Sequence, residues 1–178
     1  MNRMVCSLSL LVALLTLGSA SPARAQGAGE QKKPKTPSQS VLENWNDIGG
    51  RLVAMAEDWP EDKYGYKLKP ETRSFQEVLL HVAGSNYDLL KNIVGSKVGD
   101  DRNDPPVAEY KSKAATIAFL KKSIADAAAE IQKQGDTGIL KRLDYWIGYT
   151  EHMGEHYGLL VAYYRASGVV PPESRPKK

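Results

Sequence analysis

The chain has 178 residues, with 24 lysines and arginines against 21 acidic residues and a single cysteine. Without residues 1–25, which resemble a signal peptide, 22 basic residues face 21 acidic ones, a net charge near +1. Such a balance gives no electrostatic reason to expect nucleic-acid binding. The lone cysteine lies in the same N-terminal segment, so the remaining chain has no disulfide, catalytic thiol or cysteine-ligated metal.

Residues 1–25 have the layout of a secretory signal peptide. The positive start MNR precedes the apolar run VCSLSLLVALLTLG, and Ala23-Arg24-Ala25 fits a cleavage site before Gln26. The apolar run is short for a membrane span, which needs about 20 residues; an uncleaved N-terminal anchor is the alternative. We expect a periplasmic or secreted protein with no stable membrane insertion after cleavage.

The remaining chain divides into a linker, one domain and a tail. Residues 26–37, QGAGEQKKPKTP, are rich in glycine, proline and lysine and predict a flexible linker. Residues 173–178, ESRPKK, are expected to form a C-terminal tail. Residues 38–172 are left, which is enough for one domain.

The first predicted helix has the clearest pattern. Ser38 or Ser40 can cap its start, and Pro60 ends it. The glycine pair at 49–50 interrupts a favourable helix sequence, so a kink or close packing is expected there. Its apolar side chains recur at alternating spacings of four and three residues: Val41, Trp45, Ile48, Leu52, Met55 and Trp59.

Three further helices are predicted. The second opens at Ser74 with the S-x-x-E form of a capping box and closes at Gly95. The third covers about residues 112–134 and ends at Gly135, and the fourth covers about 141–166. No stretch alternates with the period of a strand. The sequence therefore predicts an all-α four-helix bundle, with residues 96–110 long enough to cross it.

All three histidines lie at helix edges. His152 and His156 are about 40° apart on the fourth helix and share one face, and His81 lies on the flank of the second helix. If these helices are neighbours, three imidazole nitrogens can bind one divalent ion and leave a position open for water or substrate. The alternative is three ordinary half-exposed histidines.

The string His152-Met153-Gly154-Glu155-His156 also matches H-x-x-E-H, a metalloprotease motif. We reject that interpretation because such enzymes need a further ligand well downstream, and Glu173 is the only acidic residue after His156. Glu155 is also about 100° round the helix from His156, which favours a solvated surface position.

With these residues identified, the chain resembles the DinB-like (YfiT-like) superfamily of metal-dependent proteins. The resemblance rests on two strings. FQEVLLHVA contains His81, and EHYGLLVAYYRASGVVPP contains His156, with His152 one turn before it. It implies a four-helix bundle of the DinB/YfiT type and a metal, most often zinc or nickel, on His81, His152 and His156. It also implies that dimers are common, so a homodimer is permitted.

Family members with known chemistry, as this resemblance implies, are mostly thiol-dependent transferases or isomerases. Such thiols are cytoplasmic, and an exported protein would meet little of them. The sequence therefore favours a metal-dependent hydrolase that acts on a small molecule through metal-bound water. A thiol-dependent transferase and a non-catalytic metal- or small-ligand-binding bundle are the alternatives, and a structural bundle with incidental histidines or a non-covalent haem protein would be further ones.

Four other side chains are candidates to orient a metal-bound water: Ser85, Asp88, Tyr149 and Tyr163. For the tyrosines, an ordinary hydrogen-bonded place in the bundle is the alternative. The aromatic residues Trp59, Tyr64 and Tyr66 are expected either to line a pocket or to cover one end of the bundle. Arg165 is expected to bind an anionic substrate or to pack its stem on the neighbouring tyrosines.

Overall fold

The computed structural model describes residues 33–97 and 102–176. The predicted signal peptide, residues 1–25, and most of the predicted linker lie outside the described residues. The described residues from Pro34 onward form one compact unit. Its four helices are α1 (Pro37–Asp58), α2 (Phe75–Asp88), α3 (Lys113–Leu140) and α4 (Leu143–Ala166). In the described ranges, no helix is long and apolar enough to cross a membrane.

The start of α1 differs from the prediction. Thr36, rather than Ser38 or Ser40, caps the helix, and it forms a reciprocal capping box with Gln39. Pro37 occupies the first turn, where its missing N–H costs nothing. Ser38 bonds instead to α3, since its backbone N–H and hydroxyl both donate to Asp136 Oδ1, at 2.9 and 2.6 Å.

The start and end of the second predicted helix are confirmed. Ser74 accepts the N–H of Glu77, and the Glu77 carboxylate accepts the N–H of Ser74. The final turn widens into a π-helix at Leu89–Val94, which Gly95 ends in the left-handed conformation (φ 81°).

The third and fourth helices lie close to their predicted positions. Gly135, the predicted end of the third helix, has φ 59° and ψ −170° and breaks the regular helix, but the chain turns helical again as far as Leu140. The last helix starts at Leu143, two residues later than predicted, and ends at Ala166 as predicted.

Packing of the four helices makes a bundle with a defined neighbour order. Both α1 and α2 pack against α3 and α4, so α1 lies diagonally opposite α2. Close packing explains the first glycine of the α1 pair, because a Cβ on Gly49 would lie 2.8 Å from the Ile124 side chain, whereas Gly50 faces open space. The largest buried side chains form one core: Trp45, Trp59, Trp146, Tyr87, Tyr163, Tyr164, Phe75, Leu52, Met55 and Leu79.

Aromatic side chains close one end of this bundle. Trp59 stacks on Phe75 with ring centroids 4.6 Å apart, and Tyr164 packs on the same indole at 4.6 Å. Tyr66 packs on Trp59 at 6.2 Å, and the Tyr64 hydroxyl donates to Ala56 O at 2.6 Å. Covering the bundle end, the second of the two predicted roles, therefore describes Trp59 and Tyr66, whereas Tyr64 also lines a surface pocket away from the histidines, which is the first predicted role.

Contacts continue beyond residue 172, the predicted end of the domain. Pro172–Ser174 forms a 3-10 turn. Arg175 then forms a two-pronged ion pair with Asp58 at the end of α1, with N–O distances of 2.7 and 2.6 Å. The start of the predicted tail is therefore held against the bundle.

The helices of the α2–α4 pair run antiparallel. The Tyr163 hydroxyl near the end of α4 donates to the backbone carbonyl of Arg73, just before α2. At the other end, Arg142 Nε, just before α4, donates to Ile93 O at 3.1 Å. Later residues of α2 therefore face earlier residues of α4.

The segment before α3 lies directly on α2. Gly84 is buried, and a Cβ built there would lie 2.1 Å from Arg102 O and 3.1 Å from Asn103 O. Since backbone atoms cannot yield as a flexible side-chain tip can, only glycine allows this approach.

We expect Gly84→Ala to destabilise the protein by about 1–3 kcal/mol, because the overpacking exceeds the gain in helix propensity. Urea unfolding followed by circular dichroism would measure the change. Gly50→Ala is the matched control: Gly50 is exposed in α1, a Cβ there meets nothing within 4 Å, and the variant should gain up to about 1 kcal/mol. A neutral or stabilising effect of Gly84→Ala would contradict this packing.

Candidate metal centre

The three histidines meet at the α2–α4 interface. His152 Nε2 lies 3.2 Å from His81 Nε2 and 3.1 Å from His156 Nε2. One ligand atom from each of the three side chains lies within 4.8 Å of the other two, and all three residues are half-buried. The predicted seam therefore exists, because α2 and α4 are neighbours and the i, i+4 pair projects from one face of α4.

Burial lowers the pKa of both histidines of α4. Desolvation lowers the pKa of His152 below its usual range, and the neighbouring His81 lowers it further. Desolvation and then His152 lower the pKa of His156 to about 4. Both rings are therefore neutral near pH 7, and a neutral imidazole has the free lone pair that a metal ion requires.

The segment before α3 fixes the ring of His81. His81 Nδ1 lies 3.0 Å from the backbone oxygen of Asn103 and 3.2 Å from Asp104 Oδ1. Both partners are acceptors, so the proton belongs on Nδ1 and the lone pair of Nε2 points to the other histidines. Arg73 holds Asp104 through two hydrogen bonds of 3.0 and 3.1 Å.

A comparison with protein families identifies the family of the chain. The DinB superfamily model matches residues 46–163, which include all three histidines and more than half of the chain. The chain belongs to the DinB superfamily. The predicted family resemblance and the predicted all-α bundle are thereby confirmed. A comparison with curated proteins gives no significant match.

The nitrogen positions in this DinB protein fit a divalent ion. Nitrogens about 2.0–2.1 Å from a tetrahedral ion lie about 3.3 Å from one another, close to the 3.1 and 3.2 Å separations of the Nε2 atoms. The cluster therefore suits a divalent metal, although three histidines do not distinguish zinc from nickel.

The three ligands are oriented in different ways. His81 has hydrogen-bond partners on Nδ1, whereas the buried Nδ1 atoms of His152 and His156 have none among the described residues. The α4 pair is placed by helix geometry and by ring packing, with the Tyr149 and His152 centroids 6.4 Å apart and the His152 and His156 centroids 4.5 Å apart. An acceptor on the far nitrogen is the usual means of fixing a metal-ligating histidine, so the orientation of His81 depends most on groups outside the helices.

An open cleft of about 390 Å³ adjoins the histidine cluster and is lined by His81 and His152. Its walls contain three of the four predicted additional side chains, Ser85, Asp88 and Tyr149. The Tyr149 hydroxyl donates to Asp88 Oδ2 at 2.6 Å, and Asn92 Nδ2 donates to Oδ1 at 2.6 Å. Burial, reinforced by the Asp88 carboxylate, raises the pKa of Tyr149, so its hydroxyl keeps its proton.

The fourth predicted side chain, Tyr163, does not line this cleft. It lies two helical turns after His156, about 10 Å along α4, and its hydroxyl donates to the backbone carbonyl of Arg73. Its ring packs edge-on against Phe75, with centroids 6.1 Å apart. Tyr163 therefore has the alternative role predicted for it, a hydrogen-bonded position within the bundle.

Two charged side chains lie away from the cluster. Glu155 is exposed and is not one of the clustered ligands, in keeping with rejection of the protease motif. Arg165 is exposed too and does not line the cleft.

Sequence reasoning missed three residues of this site: Arg73, Asn103 and Asp104. All three lie outside the four helices, so no helical period marks them. Asp104 lies in the string RNDPP, residues 102–106, whose only visible signal is that of a turn. Its contact with His81 joins residues 23 positions apart and depends on the close approach at Gly84.

We expect the protein, purified as residues 26–178 without chelator or His-tag, to contain about one equivalent of a divalent metal by elemental analysis. His152→Ala/His156→Ala and His81→Ala should lose it, because each removes at least one of three ligands. Glu155→Ala is the matched control and should keep it. No metal after incubation with zinc and nickel, or full retention in the histidine variants, would refute the site.

Proposed function

We propose that this DinB protein is an exported metal-dependent hydrolase that acts on a small molecule. The observation that carries the proposal is the convergence of three imidazole nitrogens beside an open cleft. A cleft of about 390 Å³ is of the size that small-molecule ligands occupy, roughly 300–1,000 Å³. A divalent ion held there would polarise a substrate carbonyl and lower the pKa of a water molecule.

The protein side chains supply orientation and proton handling. Asn103 and Asp104 fix the His81 ring. The carboxylate of Asp88 is held in place by Tyr149 and Asn92, and it lies on the same face of α2 as His81, about two turns away. We assign Asp88 and Tyr149 the role of orienting the attacking water and the substrate, as an acceptor and a donor fixed to one another.

Hydrolysis is favoured over thiol transfer by the predicted export. Low-molecular-weight thiols are cytoplasmic reductants, whereas water is present at the site in any compartment. A thiol-dependent transferase therefore remains the second candidate, and a metal- or small-ligand-binding protein without catalysis the third. The third differs from the first two in predicting bound metal without turnover.

We expect the metal-loaded protein to hydrolyse at least one substrate in a panel of chromogenic esters, anilides and lactones. Chelation should abolish turnover, and the metal identified by elemental analysis should restore it. Asp88→Asn should lower kcat by about 10–100-fold, because the neutral amide is a weaker acceptor for the water that Asp88 orients. Release of chromophore over time is the measurement.

Two comparisons separate the candidates in that assay. Glu155→Gln, an exposed substitution outside the cleft, should leave turnover unchanged. Adding glutathione or cysteine should not be required. Turnover seen only with a thiol would favour the transferase, and bound metal with no turnover across the panel would favour the binding protein.

We also expect the full chain to be exported in a Gram-negative host. Mass spectrometry of the periplasmic fraction should find a mature N-terminus at Gln26, whereas a chain expressed from Gln26 should stay in the cytoplasm. A full-length product that retains Met1 would contradict cleavage, and a cytoplasmic location would contradict export.

A further inference from the structure

The cleft beside the histidines is elongated along the α2–α4 interface. On α2 it is lined at i, i+4 and i+7 by His81, Ser85 and Asp88. On α4 the lining residues extend from His152 back to Asp144, near the helix start. Because eight residues of helix span about 12 Å, the cleft has one end at the histidines and another roughly 10 Å away.

The charged groups of this cleft are all acidic. Asp88 and Asp144 line it, and the described part of the chain places no lysine or arginine in its wall. Asp88 is already bonded to Tyr149 and Asn92, whereas Asp144 is exposed and has no ion pair among the described residues. The carboxylate of Asp144 is therefore available to a ligand.

Aromatic faces accompany the carboxylates. Tyr145 lines the same far end and is 45% exposed. Tyr149 lies one turn further along the same wall. A favourable charge at a helix start accounts for an acidic residue at position 144, and the ring of Tyr145 beside it supplies a surface on which a cation can lie. Carboxylates together with tyrosine faces are the usual surroundings of an organic cation.

We propose that the cleft selects small molecules that carry an ammonium or similar organic cation. In this arrangement Asp144 and Tyr145 hold the cationic group, and the reactive end of the molecule lies at the histidines. The inference rests on the proposed function for the identity of the reactive end, but cation binding itself does not require turnover. Anionic ligands are disfavoured at the far end, since two carboxylates repel them.

Benzyltrimethylammonium and benzyl alcohol are suitable probes, because they share a ring and differ in charge. Isothermal titration of the metal-free and the zinc-loaded full-length mature protein should show the cation binding at least about fivefold more tightly than the alcohol. Raising the ionic strength should weaken binding of the cation alone.

Substitutions at the far end of the cleft test which residues bind the cation. Asp144→Asn and Tyr145→Ala should each weaken cation binding by about fivefold, whereas Asp144→Glu should keep most of it. Glu151→Gln is the matched control, because Glu151 is an exposed carboxylate of α4 that does not line this cleft. Thermal melts would show that each variant folds, and Tyr145→Ala provides the test should Asp144→Asn prove unstable.

Equal affinity for the two probes, absence of cation binding in both metal states, or an undiminished affinity in both Asp144→Asn and Tyr145→Ala would overturn the proposal. Failure of the proposed function looks different: no substrate is turned over, yet the metal-free protein still prefers the cation. Turnover without any preference for cations would leave the hydrolase and remove only this inference.

Discussion

Antiparallel packing of α2 against α4 is the constraint on which the candidate site depends. Each helix carries its histidines on an edge rather than on its most apolar face, so neither could build a metal centre alone. The neighbour order of the bundle, in which α4 contacts α1 and α2, turns two separate edges into one seam. His81 then faces His152 at 3.2 Å, and the same seam opens into the cleft.

The buried histidines at this seam lower the stability of the folded protein. Burial lowers the pKa of His152 and of His156, so below pH 6.5 the folded protein resists a protonation that the unfolded chain accepts, and folding is weakened as the pH falls towards 4. Buried imidazoles without partners on Nδ1 also lose hydrogen bonds to water. Such local costs gathered at one point are typical of a functional site.

Much of this arrangement was predictable because it depends on local periodicity. The capping box at Ser74, the turn at Gly95 and the shared face of His152 and His156 follow from spacings of three and four residues. What the sequence concealed are contacts between distant segments. The sequence does not reveal that Ser38 bonds to Asp136 of α3. This contact between distant segments leaves Thr36 as the cap of α1. Tyr163 shares a helix face with the histidines, yet its hydroxyl reaches the backbone at Arg73 instead of the cleft.

The least predictable element, the segment before α3, also ties the fold to the chemistry. Its backbone approaches α2 so closely that only glycine fits at position 84, and this approach brings Asn103 O and Asp104 to His81. Arg73, which precedes α2, then holds Asp104 from the other side. Two connecting segments thus fix one ring nitrogen, while the α4 backbone and ring packing place the other two ligands. Because a His81 ring without these acceptors would be free to rotate, the two connecting segments determine the geometry of the site together with the four helices.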